Sequence, residues 1–466
     1  MLFSRKQNWS AWILVALLGI ILLRILLRAW VSEDAFITLR VVDNFVNGFG
    51  LRWNILERVQ VFTHPLWLFL LTPFYFFTHE PFFTTIFVSI ITTFASVWLL
   101  VFKIAKTKIA AIFALLPLIF SSAFLDFSTS GLENPLTHLL LAAFIFIFIQ
   151  KSSSRQIFLL ALFAALAGLN RLDAILFFLP ALAFVFFTSP KKFQSCGIIL
   201  LGLLPLFFWE IFSIVYFGFP FPNTAYAKLA TGVSSLDLLR QGGRYFLDSF
   251  IRDPIMLPTV LAGSVFAFTA RNKKFLAIVF GMLFYALYIL KIGGDFMSGR
   301  FFTPLLFVAV ALLSQILNSA QLKKFAVLIA IFAALGFGIH FSGSRISNET
   351  LNSFGISDER KFFESENSIA GVIRLGGIEN HSWGVKKQGS CDDIELFWNV
   401  GIFGYFSPRD CFIVDGYALT DAFLARISAN QNWRIGHFDR DPPEGYLESL
   451  SANQNLLVDP DLKNLA

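Results

Sequence analysis

The chain has 466 residues, of which 56% are hydrophobic and only 15% are charged, and it contains 59 Phe. This composition excludes a soluble enzyme with a single core and is typical of a polytopic α-helical membrane protein. The formal net charge of +6 does not indicate nucleic-acid binding, because the basic residues are spread over short loops between apolar segments.

The first apolar segment, residues 10–30, is longer than the hydrophobic region of a signal peptide, and no small-residue cleavage site follows it. We therefore predict a retained first transmembrane helix. Hydropathy predicts about 11 spans in all, and the others are 82–102, 109–125, 135–150, 156–169, 174–188, 196–217, 255–270, 275–290, 301–317 and 325–341.

The distribution of Lys and Arg predicts the orientation. With the N-terminus in the cytoplasm, six cytoplasmic loops carry Lys or Arg, and none of these loops contains Asp or Glu. This is the positive-inside pattern of a multi-pass protein in an inner or plasma membrane. The basic residues of these loops are Arg5, Lys6, Lys103, Lys106, Lys108, Lys151, Arg155, Lys191, Lys192, Arg271, Lys273, Lys274, Lys323 and Lys324.

Residues 66–102 are apolar enough for two crossings, but two crossings would invert every later loop. We therefore predict one crossing, preceded by a helix in "HPLWLFLLTPFYFF" that lies along the outer interface. Trp67 and Tyr75 suit that depth.

A change of composition after residue 341 divides the chain. Residues 1–341 contain 26 Lys and Arg against 13 Asp and Glu, whereas residues 342–466 contain 11 against 18. We predict a transmembrane module (1–341) whose first outer loop (31–81) is catalytic. The segment 342–466 is predicted to be an extracytoplasmic α/β domain large enough for its own core. Cys391 and Cys411 share this domain, as a disulfide or as two buried thiols.

The stretch "VSEDAFITLR" places Glu33 and Asp34 side by side at the predicted outer end of the first helix. A carboxylate at this depth can act as a general base. The alternative is that the pair caps a helix or marks the membrane edge. No Walker loop, CxxC or HExxH motif competes with this stretch.

The stretch "SEDAFITLRVVDNFVNGFGLRWNILERVQVFTHPLW" resembles the first outer loop of polyprenyl-phosphate-dependent glycosyltransferases of the GT-C superfamily. It is most similar to the cell-wall terminal arabinofuranosyltransferase family. Five later blocks resemble family segments in the same order: "STSGLENPL", "NTAYAKL", "GGDFMSGRFFTPLLF", "VDGYALTDAFLARI" and "RIGHFDRDPPEGY". Glu33 stands where the family has its first Asp, and Ala418 stands where Gly is usual.

The resemblance implies an inverting transfer of a sugar, with arabinofuranose as the candidate, from a polyprenyl-phosphate donor to a hydroxyl acceptor. The acceptor would be a cell-envelope glycan or another molecule on the extracytoplasmic face. The resemblance places Asp34 at the position of the base, and Glu33 could be the base, a metal ligand or an orienting neighbour. The leaving phosphate needs stabilisation by cations or a metal ion.

Six basic residues are candidates to bind the donor phosphate or to orient the acids, although each could equally be a snorkelling or solvated side chain. They are Arg24, Arg28, Arg40, Arg171, Lys228 and Arg300. No cofactor is certain, but Glu57 and His64 are candidate ligands for a divalent cation. The candidates for acceptor binding in the tail are Trp398, Asp415, Asp421 and His437. The alternative for Trp398 is a place in the domain core.

Two other classes of function remain open at this point. A lipid-linked sugar transporter or flippase would also have many spans, although the sequence shows no inverted repeat. A non-catalytic assembly protein could use the outer domain to bind glycan. The residues favour the transferase, with the donor, the acceptor and the lipid bilayer as partners and no nucleic acid.

Overall fold

The structure is a computed structural model, and it describes residues 3–151, 153–229, 231–317, 350–385 and 394–464 together with positions 321, 327, 331 and 334. The described part is mostly helical. The α-helices are Phe3–Leu27, Glu33–Val46, Pro65–Thr78, Pro81–Leu99, Lys108–Phe120, Ser122–Asp126, Asn134–Phe148, Ser154–Asn170, Leu179–Thr188, Lys192–Phe217, Asn223–Leu229, Ser235–Arg252, Met256–Thr269, Lys273–Lys291, Thr303–Ile316, Glu359–Asn367, Ile369–Leu375, Ser382–Val385, Val400–Phe406, Tyr446–Ala452 and Pro460–Lys463.

Shorter elements join these helices. A π-helical segment, Leu100–Ile104, continues the helix Pro81–Leu99. The 3-10 turns are Leu172–Phe177, Arg300–Phe302, Ile378–Asn380 and Leu424–Arg426. The strands are Ile394–Phe397 and Phe412–Asp415, which pair in parallel with Ile394 opposite Phe412.

Four described helices are long and apolar enough to cross a membrane: Trp9–Leu27, Pro81–Ile104, Lys192–Phe217 and Lys273–Lys291. A fifth span results if Ser235–Arg252 and Met256–Thr269 are counted together, although a bend of 104° separates them. Most residues of Trp9–Leu27 and of Lys192–Phe217 are not buried within the protein, which suits contact with lipid. These helices fit a helical membrane protein.

The predicted count of about 11 spans is not confirmed. Five of the predicted spans fall on apolar helices of only 10–17 residues, which are shorter than the roughly 20 residues that a full crossing needs. Polar residues end some of these helices early. Ser121, for example, ends the helix Lys108–Phe120 and its side chain caps the next short helix, within the predicted span 109–125. The last predicted span, 325–341, lies almost wholly outside the described residues.

The helix Pro65–Thr78 agrees with the sequence in being separate from the crossing that follows it. His79 adopts a left-handed conformation (φ 49°) at its C-terminal end, and a new helix begins at Pro81. The helix Pro65–Thr78 is too short to pass as a span, whereas Pro81–Ile104 is long enough. The position of Pro65–Thr78 along an outer interface stays a prediction.

The chain divides into two compact units. The first unit contains Met1–Trp30, Ile86–Phe207 and Leu238–Phe362, and the second contains Val31–Thr85, Phe208–Asp237 and Phe363–Ala466. The predicted boundary at residue 341 lies outside the described residues, and the predicted division stays a hypothesis.

The core of the second unit is shared between the predicted first loop and the predicted tail. Val41 and Trp53 from the loop pack in one buried cluster with Phe403, Ile413 and Leu424 from the tail. This differs from the expectation that the tail has a core of its own. The reason is that the tail contributes one two-stranded sheet and short helices, whose apolar sides need the helix Glu33–Val46 of the predicted first loop as a partner. A separate α/β domain is therefore not confirmed.

Candidate active site

The acid pair of the first loop lies at the start of the helix Glu33–Val46, which we call the loop helix. Ser32 is its N-cap residue and makes no side-chain capping bond, so neither acid occupies the cap position. From Ala29 to Val42 nearly every residue is buried, and Asp34 is the one that is partly exposed. The two adjacent carboxylates therefore have different surroundings.

Glu33 is bound to the tail. Its side chain is buried, and its carboxylate oxygen Oε1 accepts hydrogen bonds from the backbone N–H of Gly401 (2.5 Å) and of Ile402 (3.1 Å). These are the second and third residues of the helix Val400–Phe406, which we call the tail helix. The first N–H groups of a helix have no partner within it, so Glu33 caps the tail helix from outside.

Arg40 binds the other end of the tail helix. Its guanidinium donates to the backbone carbonyls of Gly404, Ser407 (3.3 Å) and Pro408 (3.4 Å), and it stacks on Trp53 with 5.0 Å to the ring centroid. Burial lowers the pKa of Arg40 to about 10, so the side chain remains a cation at neutral pH. The sequence suggested that Arg40 orients Asp34, but its hydrogen bonds go to the C-terminal carbonyls of the tail helix and to Trp53.

Tyr417 of the second unit belongs to a group of partly exposed side chains that are linked by ring contacts, hydrogen bonds or charge interactions, and we call it the Tyr417 cluster. It contains Lys228, Trp398, Tyr417, Arg434, His437 and Asp439.

The aromatic members of the cluster make defined contacts. The ring of His437 meets Tyr417 edge to face at 4.7 Å, and the indole of Trp398 hydrogen-bonds Asp439. Trp398 keeps 40% of its surface exposed. The cluster therefore presents an aromatic surface beside a carboxylate.

Two cations influence His437. Burial, and to a smaller extent the positive charges of Arg434 and Lys228, lower its pKa to about 3. His437 is therefore neutral at physiological pH and lies in a positive potential. Burial likewise raises the pKa of Tyr417 to about 12, and the carboxylate charge of Asp439 acts in the same direction. Tyr417 and Arg434 were not singled out from the sequence, although Tyr417 lies in the block "VDGYALTDAFLARI" and Arg434 begins the block "RIGHFDRDPPEGY".

Asp415 and Asp421 are buried and face inward. The carboxylate of Asp415 accepts hydrogen bonds from the N–H groups of Tyr417 (2.8 Å), Leu419 (2.7 Å) and Thr420 (3.0 Å), and burial raises its pKa to about 7. Asp421 is buried as well. The acceptor-binding interpretation of these two residues does not fit their burial. The oxygens of Asp415 hold the turn that carries Tyr417, and those of Asp421 accept hydrogen bonds from the N–H of Leu424 and the hydroxyl of Tyr446.

The candidate metal ligands have different partners in the second unit. Glu57 accepts a hydrogen bond from Asn54 (2.8 Å), whereas the two ring nitrogens of His64 lie 2.8 Å from the hydroxyl of Thr38 and 3.2 Å from that of Thr63. No group of three or more His, Cys, Asp or Glu side chains within the described residues is placed to hold a metal ion. A cation at Glu57 and His64 stays a prediction.

Arg171 and Arg300, two of the six basic candidates, form an ion-pair network in the first unit. Glu133, which is 1% exposed, binds Arg300 through both carboxylate oxygens (3.0 and 3.1 Å) and binds Arg171 at 3.0 Å. Arg171 also holds Asp173 with two bonds of 2.7 and 2.8 Å, and Arg300 lies 3.5 Å from Asp295. The solvated-loop alternative for Arg171 and Arg300 is therefore wrong, because carboxylates neutralise both cations inside the protein.

Arg28 is paired with an acid at the end of the first helix. It forms two bonds to Asp126 (2.6 and 2.8 Å), and Arg360 lies 3.6 Å from the same carboxylate. Arg24 lies one turn earlier and is close enough to interact with both Arg28 and Asp126. Three arginines thus act on Asp126, and Asp358 is a second acid close enough to influence it.

The predicted disulfide stays a prediction. Cys411 is buried in the core of the second unit, one residue before the strand Phe412–Asp415, but Cys391 lies outside the described residues. Cys196 is a free, exposed thiol.

Comparisons with known proteins give one curated relative. The chain is 26% identical over 321 residues to a terminal beta-(1->2)-arabinofuranosyltransferase of Corynebacterium glutamicum. The similarity is distant, and it supports a glycosyltransferase role. The match covers 59% of this chain and 46% of the relative, so the chain spans about half the length of that protein. No family model matches the chain, and no solved structure matches it.

Proposed function

We propose that the protein is a membrane glycosyltransferase that transfers a sugar from a polyprenyl-phosphate donor to a hydroxyl acceptor on the extracytoplasmic face. Arabinofuranose is the proposed sugar, and a cell-envelope glycan is the proposed acceptor. The observation that carries the proposal is the similarity to a terminal arabinofuranosyltransferase, together with the six family-like blocks of the sequence.

Asp34 is the proposed general base. The acceptor oxygen forms a bond to the anomeric carbon, the bond from that carbon to the phosphate oxygen breaks, and the acceptor proton passes to Asp34. The polyprenyl phosphate leaves with the bonding electrons and needs no proton. The partial exposure of Asp34 supports this role, since a base must reach its substrate, whereas Glu33 is committed to the tail helix.

Lys228 and Arg434 are proposed to stabilise the charge of the leaving phosphate. Both cations act on His437, so a phosphate near that ring would meet two positive charges and a neutral imidazole that can hydrogen-bond. Arg24, Arg28 and Arg360 form a second positive group at the end of the first helix, which suits contact with a lipid phosphate. Arg171 and Arg300 are better explained as structural ion pairs, because Glu133 binds both of them.

Trp398 is proposed to contact a sugar ring. Its indole is substantially exposed and is oriented by Asp439 and by Gly416, whose missing side chain leaves the room that the indole occupies. Rigid aromatic surfaces of this kind bind ligands with little loss of conformational freedom.

The test uses the purified full-length chain in liposomes with a panel of polyprenyl-phosphate sugars and oligosaccharide acceptors. We expect release of polyprenyl phosphate together with a glycosylated acceptor, and loss of both with Asp34→Asn. Movement of the lipid-linked sugar across the bilayer without transfer would instead support the transporter. Glycan binding without turnover of any donor would support the assembly protein.

A further inference from the structure

The helix Ser235–Arg252 has an arrangement of side chains that is opposite to that of a helix on a soluble protein. Its polar side faces the protein, because Gln241, Asp248 and Ser249 are buried. Its apolar side faces outward, with exposed fractions of 45% for Leu239 and 51% for Leu247. In water such a face would be unfavourable, since the free energy falls when apolar surface is removed from water.

The outward side chains form a continuous stripe. The exposed residues recur at intervals of three or four positions, so they share one face of the helix. They are Leu239, Gly243, Leu247 and Phe250. The inward residues follow the same spacing on the opposite face.

The buried polar side has defined partners within the first unit. Asp248 accepts hydrogen bonds from Ser298 (2.6 Å), Asn352 (2.7 Å) and Arg252 (2.9 Å). Gln241 donates to the backbone carbonyl of Phe354 at 2.8 Å. The bonds to Ser298, Asn352 and Phe354, which lie outside the helix, hold it in one rotation about its axis, so the apolar stripe cannot turn inward without breaking them.

Further contacts reinforce the same rotation. The hydroxyl of Tyr245 donates to the carbonyl of Met297 (3.0 Å), and a side chain at Gly242 would overlap the backbone of Leu290. The inward face is therefore tightly packed.

The helix also changes direction where the next apolar helix begins. A bend of 104° separates Ser235–Arg252 from Met256–Thr269, whose outward residues Leu261, Val265 and Phe268 are exposed and apolar. If the second helix runs across a bilayer, the first must run near the bilayer plane. A helix in that plane with one apolar face is the arrangement of an interfacial helix.

Two arginines stand beside the apolar stripe. Arg240 and Arg244 are exposed and lie one turn apart, between the outward stripe and the inward polar side. Arginine at this position keeps its charge at the level of lipid phosphates while the apolar residues enter the acyl boundary.

We infer that residues 238–252 form an interfacial helix whose outward face, defined by Leu239, Gly243, Leu247 and Phe250, is buried in the lipid bilayer, with Arg240 and Arg244 at the phosphate level. The partner is the lipid surface itself. The sequence predicted this segment as part of an outer loop and did not assign it to the membrane. The inference does not depend on the proposed catalytic function.

The test measures where nitroxide labels lie in the full-length protein reconstituted in phospholipid vesicles. Single cysteines replace Leu247 or Phe250 in a Cys196→Ser background, and the background protein without an added cysteine gives the residual signal. Glu448→Cys, at an exposed position of the helix Tyr446–Ala452, is the matched water-exposed control. Collisions with oxygen report lipid, and collisions with a water-soluble nickel chelate report solvent.

We expect labels at 247 and 250 to collide more with oxygen than with the nickel chelate, and the label at 448 to show the reverse. A label at Leu239→Cys should behave as those at 247 and 250, and it serves if either of them does not fold. Nickel accessibility at 247 and 250 equal to that at 448 would overturn the inference. Protection from both reagents would also overturn it, because protein, such as a second copy of the chain, would then cover the face.

Discussion

At the scale of single residues, Glu33 and Asp34 show how neighbours in a chain come to differ in chemistry. Successive side chains on a helix point about 100° apart. Glu33 is directed to the N–H groups of Gly401 and Ile402, and Asp34 is left partly exposed. Of the two acids, Asp34 is the more exposed.

Replacing Asp34 by Asn should remove the proposed base and keep the size of the side chain. We expect turnover to fall by roughly 100- to 10,000-fold, or about 3–5 kcal/mol of barrier, because proton removal in the transition state is lost. Donor binding should change little. The control is Asp43→Asn, which removes another acid from the same helix. The carboxylate of Asp43 binds Arg409 and Tyr75. A turnover near that of the wild type in Asp34→Asn would exclude Asp34 as the base.

Glu33 should matter for stability more than for chemistry. Glu33→Gln keeps an oxygen for the two N–H groups of the tail helix, whereas Glu33→Ala leaves them without it. We expect the alanine variant to lose roughly 1–3 kcal/mol of stability and the glutamine variant to lose less. Thermal unfolding in detergent measures both. A glutamine variant that is fully stable but inactive would instead identify Glu33 as the base.

Glu57 should make stability depend on pH. Burial raises its pKa from 4.5 to about 8, and the nearby charge of Asp421 acts in the same direction. Between these two values the folded chain keeps a proton that the unfolded chain has lost. The free energy of unfolding therefore falls as pH rises from about 4.5 to about 8.

Thermal unfolding of the wild type and of Glu57→Gln across this range tests the effect. We expect a smaller decline of the melting temperature with rising pH in Glu57→Gln, because that side chain does not titrate. Glu448→Gln, at an exposed position, should retain the decline of the wild type. Identical pH profiles for the wild type and Glu57→Gln would contradict the assignment.

At the scale of elements, the loop helix and the tail helix form one packed pair. Glu33 and Arg40 bind the two ends of the tail helix, seven residues apart on the loop helix, so the two helices run in parallel. The carboxylate meets the N-terminal end of the helix dipole and the guanidinium meets its C-terminal end, which is the favourable arrangement of charge.

Two glycines permit this close approach. A side chain at Gly401 would overlap the backbone of Glu33, and one at Gly404 would overlap the ring of Trp53. We expect Gly401→Ala and Gly404→Ala each to lower stability by about 1–3 kcal/mol through overpacking. Gly243→Ala is the matched control, since open space surrounds Gly243 in the middle of a helix. That change should be neutral or stabilising. Equal melting temperatures for all three variants would refute the packing argument.

At the scale of the whole molecule, the charge pattern predicts that the loop between the first and second spans lies outside the cytoplasm. Leu70→Cys, in the helix Pro65–Thr78, tests this in intact cells with a membrane-impermeant thiol reagent. We expect labelling from the outside, with Cys196 replaced by Ser as background. Labelling only after the cells are permeabilised would reverse the orientation and remove Asp34 from the outer face.

The sequence alone determined that the protein is a helical membrane protein. Apolar runs near residues 10–30, 82–102, 196–217 and 275–290 correspond to the four long apolar helices, because hydropathy depends on composition and little on packing. The acid pair and the family-like blocks likewise could be found by reading along the chain. The shorter apolar runs could not be assigned to spans, since length alone does not separate a crossing from a buried helix.

The roles of individual charges were decided by tertiary structure. Arg40 binds the tail helix across more than 360 positions of sequence, and Glu133 joins Arg171 to Arg300, which no local pattern shows. Asp415 is a plausible surface acid in sequence but is buried by the fold. A charge takes its function from the partners and the solvent around it, and those depend on contacts between distant parts of the chain.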